Sequence, residues 1–223
     1  MCFSETQSFI NTIILIIGSI YVYPKYKLTI FLIFLALKDL IQGLLYKYQN
    51  NKKIENILTT LSWIHICFQP LFVNIFMSNF SKNQNKYWNI IFIICFLYGL
   101  YTLTTLKEFD IQNDPDCIKK NKKDDFCSKY TTSYIGKYHI AYKFNRDNDK
   151  LFWPYLYLIL MFIPSLFTSS RILVIIWGLF VSLIYKIFNK IGEGEKAAIW
   201  CFLSIIFFLP ISIFNKQISK ILF

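Results

Sequence analysis

Polar side chains in two long apolar segments are the residues of this chain best suited to chemistry. Asp39 and Gln42 are three residues apart, which places them on one face of a helix. His65 and Gln69 are four residues apart and share a face in the next segment. Ionisable groups inside a membrane are costly and usually functional. We therefore interpret Asp39 and His65 as candidate catalytic residues, with Asp39 as an acid/base carboxylate or cation ligand and His65 as its partner.

Further polar residues extend these two faces. Tyr46 continues the face of Asp39, and Ser62 lies three residues before His65. Asn11 belongs to the first apolar segment and is expected in the same half of the membrane. The predicted pocket is thus lined by Gln42, Gln69, Asn11, Tyr46 and Ser62. An alternative stays open, in which these side chains only hydrogen-bond the helices together.

Metal binding is a further hypothesis, and the histidine count limits it. A catalytic zinc site uses three protein ligands plus an open position, and the chain contains only two histidines. Asp39, His65 and His139 could supply three ligands if the segment around His139 dips into the membrane. Otherwise His139 is expected on a loop surface. Phosphate-binding glycine motifs and the common hydrolase motifs do not occur in the sequence, so the identity of any cofactor stays open.

The chain that must position these residues has the composition of a membrane protein. Only 17% of its 223 residues are charged and 55% are hydrophobic, whereas soluble domains are about a quarter charged. The apolar residues form long runs without strand-like alternation, which favours helices over a β-barrel. The net charge of +11 is spread over nearly every loop. That distribution predicts contact with lipid headgroups rather than with nucleic acid.

Seven apolar segments predict an all-α bundle of seven membrane spans in a single domain, 1–223. The segments are residues 6–24, 28–46, 56–81, 87–106, 151–170, 172–185 and 197–215. About 20 apolar residues cross a bilayer core. The sixth segment has 14 residues and is expected to cross only if lysines at its end reach back to the interface. If it turns back instead, the number of spans is six.

Seven spans divide the loops between two sides of the membrane. Side A holds the N-terminus and the loops 47–56, 107–150 and 186–196, and side B holds the other loops and the C-terminus. Asp39 then lies about 10 Å and His65 about 13 Å from side A, at 1.5 Å per helical residue. We expect them to meet in the side A half of the membrane, in a pocket that opens to side A.

The loop 107–150 is expected outside the membrane. Residues 130–144, rich in Thr, Tyr and Ile around Gly136, predict a β-hairpin that could lie over the side A mouth of the bundle. Cys117 and Cys127 are candidates for a disulfide, which would place side A in the lumen or outside the cell and the C-terminus in the cytosol. Two free cysteines in a cytosolic loop remain the alternative.

The first four residues, Met1-Cys2-Phe3-Ser4, precede an apolar span. This opening resembles an uncharacterised group of multi-pass membrane proteins from bacteria and large DNA viruses that begin with the same tetrapeptide. The likeness covers roughly the first 80 residues, including the polar positions Lys38-Asp39 and His65 to Gln69-Pro70. It implies a membrane protein of unsettled activity, in a viral or host membrane.

The predicted span count, with an intramembrane aspartate and histidine, also resembles the seven-span hydrolase superfamily that includes alkaline ceramidases. Those enzymes place three histidines, an aspartate and a serine around zinc, and this chain departs from them at the metal ligands. Several functions therefore stay open: a membrane protein with a pocket of unknown activity for a small molecule or lipid, a membrane-embedded lipid hydrolase, a transporter or channel, and a structural membrane protein.

Overall fold

A computed structural model describes residues 4–23, 25–81, 85–106, 131–144 and 154–222. These residues form eight helices and one hairpin, in the order α1 (Glu5–Val22), α2 (Tyr26–Lys47), α3 (Lys52–Ser78), α4 (Asn85–Leu103), β1 (Thr132–Ile135), β2 (Ile140–Lys143), α5 (Pro154–Leu166), α6 (Arg171–Ile187), α7 (Glu193–Ile213) and α8 (Asn215–Leu222). Helices dominate the architecture, which confirms the predicted all-α class.

Local capping sets where the long helices begin. The Ser4 hydroxyl accepts a hydrogen bond from the backbone N–H of Gln7, at the start of α1. The side chain of Asn51 likewise accepts from Ile54, so α3 begins at Lys52 rather than at the predicted residue 56. Such caps satisfy backbone donors that the first helical turn leaves free.

Five helices are long and apolar enough to cross a membrane: α1, α2, α3, α4 and the Gly194–Ile213 part of α7. Their outer faces carry large apolar side chains, such as Ile17 and Ile206, which are 61% and 65% exposed. Such faces are unfavourable in water and favourable against lipid. The chain is thus an α-helical membrane protein. The shorter helices α5 and α6, with 13 and 17 residues, cover the fifth and sixth predicted segments.

Helices α2, α3 and α7 form the centre of the bundle. Helix α2 packs against α1, α3 and α7, whereas α3 also packs against α4 and α5. Aromatic rings join the centre: the ring of Phe208 lies 4.7 Å from that of Phe31, 4.9 Å from that of Phe76 and 5.0 Å from that of Trp177. This aromatic packing fixes the three helices that carry the polar residues described below.

The hairpin predicted over residues 130–144 is present. Strand β1 pairs antiparallel with β2, with Thr132 opposite Lys143 and Ile135 opposite Ile140. It packs against α2, α3 and α7, and Tyr142 and Phe144 are almost fully buried. His139 is 1% exposed. The expectation of a surface histidine is therefore wrong, because the hairpin inserts among the helix ends.

Two groups of contacts lie at opposite ends of α2. The Gln49 side chain, between α2 and α3, donates to the hairpin carbonyl of Ser133, and the ring of Phe188, after α6, packs on Tyr138. At the opposite end, the Lys25 ammonium donates to Asn215. The first group of contacts defines the side A end of the bundle and the second the side B end.

Candidate functional site

A cluster of polar side chains is buried beneath the hairpin. We call it the Asp39 cluster, and it consists of Lys38, Asp39, Gln42, Tyr142 and Cys201. The Lys38 ammonium donates to the Gln42 side chain at 3.0 Å and to the carbonyl of Ala198 in α7 at 3.4 Å. The lysine is 6% exposed and therefore does not reach back to the membrane surface. Tyr142 and Cys201 lie within electrostatic reach of Asp39.

Asp39 is the unusual member of this cluster. Its side chain is 1% exposed, and neither carboxylate oxygen has a hydrogen-bond partner. Lys38 stands beside it on the helix, but its ammonium bonds elsewhere. Since nearly all buried polar groups in proteins are hydrogen-bonded, a bare carboxylate marks a place where a proton, an ion or another molecule can bind.

Unsatisfied donors lie in the same cluster. The amide nitrogen of Gln42 has no partner, although its oxygen accepts from Lys38. The Tyr142 hydroxyl, supplied by the hairpin, lies beside Ser62 and Gln42 without a well-formed hydrogen bond to either. Burial raises the pKa of Tyr142 well above its ordinary value, so the phenol stays protonated and able to donate. Acceptors and donors are thus both available there.

His65 occupies a different environment. Its Nε2 atom donates to the backbone carbonyl of Phe34 at 2.9 Å, and its ring stacks on the Phe34 ring at 3.7 Å. No hydrogen bond joins it to Asp39, whose oxygens have no partner. The imidazole is positioned by an aromatic face and a main-chain oxygen, and this arrangement ties α3 to α2.

Gln69 connects α3 to α5 and α7. Its side-chain oxygen accepts a hydrogen bond of 2.6 Å from the Tyr157 hydroxyl, and its nitrogen lies 3.6 Å from the sulfur of Cys201. Cys201 belongs to the Asp39 cluster, so it links Gln69 to that cluster. No local pattern predicts these contacts of Cys201 and Tyr157, because both residues lie more than 80 positions from Gln69 in the chain.

Tyr46 holds the hairpin turn. Its hydroxyl lies 3.2 Å from Nδ1 of His139 and accepts a hydrogen bond from the backbone N–H of Ile140. Burial, with the positive charge of Lys38 as a second cause, lowers the pKa of His139 well below its ordinary value. The imidazole is therefore neutral in the folded protein, as expected for a group held in an apolar environment.

Two buried glutamates anchor the hairpin. In the sequence they fall in the predicted loops 47–56 and 186–196. The Glu195 carboxylate, in the first turn of α7, accepts from the backbone N–H groups of Tyr138 at 2.5 Å and His139 at 3.0 Å. The Glu55 carboxylate, in the first turn of α3, accepts from the backbone N–H of Ser133 and from the Thr59 hydroxyl. Both glutamates are at most 5% exposed.

One signal for the Glu195 contact exists in the sequence, namely Gly136. A Cβ atom at this position would overlap the Glu195 carboxyl group and approach the His139 carbonyl oxygen to 2.6 Å. The glycine is therefore needed for a close approach, not only for the turn. A glycine pattern alone does not identify which distant carboxylate approaches it.

Two other predicted site residues, Asn11 and Ser62, form hydrogen bonds within their own helices. Asn11 accepts from Gln7 within α1, and the Ser62 hydroxyl donates to the carbonyl of Leu58 in its own helix. In the part of the chain that the structure describes, no three His, Cys, Asp or Glu side chains are grouped closely enough to hold a metal ion. The disulfide candidates Cys117 and Cys127 lie outside the described residues.

Comparison with known proteins places the chain in a family. Residues 6–222 match the Family of unknown function (DUF5765), which is nearly the whole chain, so the chain belongs to this family. No curated protein and no solved structure matches it.

Proposed function

We propose that this member of the DUF5765 family binds a small polar ligand inside the membrane, at the Asp39 cluster, and that the ligand enters from side A past the hairpin. The proposal rests on the Asp39 carboxylate, which is buried and has no hydrogen-bond partner for either oxygen. A buried carboxylate without hydrogen bonds costs free energy in such surroundings. A ligand that donates hydrogen bonds or carries positive charge removes that cost when it binds.

The composition of the cluster defines the class of ligand. Asp39 offers two acceptor oxygens, while Gln42 and Tyr142 offer donors. Lys38 adds a positive charge next to the carboxylate, so the cluster as a whole is close to neutral. These groups favour a small molecule with both donors and acceptors over a simple cation. Asp39 acts as its acid/base or ion-pairing group, and His65 supports the cluster through α2.

The position of the hairpin supports entry of the ligand from side A. The hairpin supplies Tyr142 to the cluster and closes the side A end between α2, α3 and α7. In the side B half, several buried polar side chains bond to backbone carbonyls. The Asn74 side chain, for instance, donates to the carbonyls of Pro70 and Leu160. This pattern favours a site with one entrance over a transport path that crosses the membrane.

Seven spans, including the short helices α5 and α6, form part of this proposal. Tyr87 at the start of α4 donates to the carbonyl of Pro164 at the end of α5, which supports a crossing of α5 between the two ends. Phe188, just beyond α6, packs on the hairpin residue Tyr138, which supports a crossing of α6. Labelling of Cys117 and Cys127 with a membrane-impermeant maleimide, before and after reduction, tests the lumenal placement of side A and the disulfide together.

Co-purified small molecules test the ligand. Wild-type protein and the isosteric variant Asp39→Asn are purified in mild detergent, denatured, and their released small molecules compared by mass spectrometry. We expect at least one polar species at near-stoichiometric level in the wild type and a loss of more than tenfold in the variant. Ser212→Ala, which removes a buried hydroxyl that bonds only within α7, is the matched control and should retain the species.

Two results would contradict the proposal. Identical small-molecule profiles for the wild type and a folded Asp39→Asn variant would show that the cluster holds no ligand. Loss of folding in Asp39→Asn, with Ser212→Ala intact, would show that Asp39 serves to join helices. The lipid-hydrolase alternative predicts in addition a tightly bound metal, which elemental analysis of the same samples detects.

A further inference from the structure

A second polar site lies at the side B end, far from the Asp39 cluster. A hollow of about 410 Å³ opens between the turn that joins α1 to α2 and the last helix, α8. It is lined by Lys25, Lys216, Gln217 and Lys220. Three of these four side chains are cationic, and none is acidic.

The position of Lys25 distinguishes this group from lysines dispersed in water. Its ammonium donates to the side-chain oxygen of Asn215, which is itself buried and donates to the carbonyl of Ser212 at 2.5 Å. The lysine is thereby turned toward α8. Burial, followed by the charge of Lys216, lowers the pKa of Lys25. The like charges of Lys25 and Lys216 thus repel one another, while Lys25 is held in place by its hydrogen bond to Asn215.

No acidic side chain belongs to the predicted side B segments. All 13 acidic residues of the chain are either Asp39 or lie in segments assigned to side A. The side B segments contain lysines and Arg171 alone as charged residues. An anion from outside the protein is therefore the natural partner for the lysine-lined hollow.

The location indicates which anion. Helix α8 begins two residues after α7 ends, and Lys25 directly precedes α2, so the hollow lies at the level where two membrane-crossing helices end. Ile218 of α8 packs against the hydrophobic core while Lys216 and Lys220 are exposed. An amphipathic helix of this kind lies in the plane of the membrane interface, at the depth of lipid phosphates.

We propose that Lys25, Lys216 and Lys220 bind the phosphate-bearing headgroup of an anionic lipid in the side B leaflet. Lysine ammonium groups bind phosphate oxygens as point charges with charge-assisted hydrogen bonds. The Gln217 side chain can hydrogen-bond the polar remainder of the headgroup. A bound lipid would offset the repulsion within the lysine group and hold α8 against the ends of α1, α2 and α7.

Lipid titration followed by native mass spectrometry tests this site. The full-length protein in neutral detergent is titrated with phosphatidylglycerol, with phosphatidylcholine, and separately with inorganic phosphate. We expect a saturable phosphatidylglycerol adduct, weaker phosphatidylcholine binding, and no displacement of the lipid by millimolar phosphate. The double variant Lys216→Gln/Lys220→Gln should weaken phosphatidylglycerol binding by about fivefold per lysine. Both lysines are exposed, so folding is expected to be retained.

A matched double variant on the other side controls for general electrostatics. Lys52→Gln/Lys53→Gln removes two exposed lysines from the side A start of α3 and should leave the lipid affinity unchanged. Equal loss in both double variants would overturn the site, because total charge would then explain the binding. Displacement of the lipid by millimolar phosphate would overturn the assignment to a lipid, in favour of free phosphate. Equal binding of the two lipids would also overturn it.

Discussion

Three carboxylates are buried among the described residues, and the environment of Asp39 differs from that of Glu55 and Glu195. Glu55 and Glu195 each accept hydrogen bonds from main-chain N–H groups of the hairpin. Asp39 is at least as deeply buried and accepts none. The two glutamates resemble other structural buried charges, whose cost is offset by strong hydrogen bonds to the charged form. Asp39 lacks that compensation. We therefore associate the two glutamates with structure and Asp39 with function.

The three groups are also linked in space. The glutamates anchor both parts of the hairpin, Glu55 on β1 and Glu195 on the turn, while Tyr142 on β2 belongs to the Asp39 cluster. Secure attachment of the hairpin is thus what keeps the cluster buried. Changes at the glutamates should act on stability, and changes at Asp39 should act on binding.

The largest expected effect is that of Glu195→Ala. The backbone N–H groups of Tyr138 and His139 would be left buried without an acceptor, which should lower the free energy of unfolding by about 3 kcal/mol. Thermal unfolding in detergent and limited proteolysis within the hairpin measure this loss. Glu195→Gln keeps an acceptor oxygen and should lose clearly less. An Ala variant as stable as the wild type would remove the distinction between the glutamates and Asp39.

Gly136→Ala perturbs the same contact from the opposite side. The added methyl group would overlap the Glu195 carboxyl group and the His139 carbonyl, so we expect a loss of about 2 kcal/mol. Gly178→Ala in α6 is the control, because a Cβ there meets Phe162 at an ordinary 3.6 Å. The unfolding midpoint of Gly136→Ala should therefore lie below that of Gly178→Ala. Similar midpoints would show that the Glu195 approach is looser than the structure indicates.

These contacts could not be predicted from the sequence, although the elements that carry them could. Apolar run length is a local property, so the helices, the membrane class and the hairpin could be predicted. The Glu195 bond to Tyr138 joins residues 57 positions apart, and no local pattern encodes it. For the same reason, the predicted neighbourhood of Asp39 included His65, which shares its depth, but not Cys201, which α7 brings in from far along the chain.

Lowering the pH should loosen the hairpin through His139. The folded protein holds this imidazole neutral, with its pKa below the usual value, whereas the unfolded chain takes up a proton near pH 6.5. Stability is then present in full above about pH 6.5 and falls as the pH drops toward the folded pKa, by at most about 1.4 kcal/mol per pH unit. The Tyr46 hydroxyl and the positive charge of Lys38 face the ring.

The variant His139→Gln isolates the contribution of His139 to the pH dependence of stability. Its unfolding midpoint should depend less on pH between 6.5 and 5 than that of the wild type. Identical pH profiles would show that His139 does not contribute.

The smallest effect on stability, and the sharpest test of the comparison, is expected for Asp39→Asn. Asp39 makes no hydrogen bond that the substitution could break, so the free energy of unfolding should fall by less than about 1 kcal/mol, in contrast to Glu195→Ala. Chemical labelling then distinguishes the carboxylates directly. Dicyclohexylcarbodiimide is an apolar reagent that modifies carboxylic acids inside membranes. It should label Asp39 in the wild type, and the label should vanish in Asp39→Asn while Glu55 and Glu195 remain unmodified, because their oxygens are bonded to the hairpin. Peptide mass spectrometry reports the modified residue. A label on the glutamates and none on Asp39 would mean that the hairpin opens more readily than Asp39 reacts. The contrast between anchoring and binding carboxylates would then not hold.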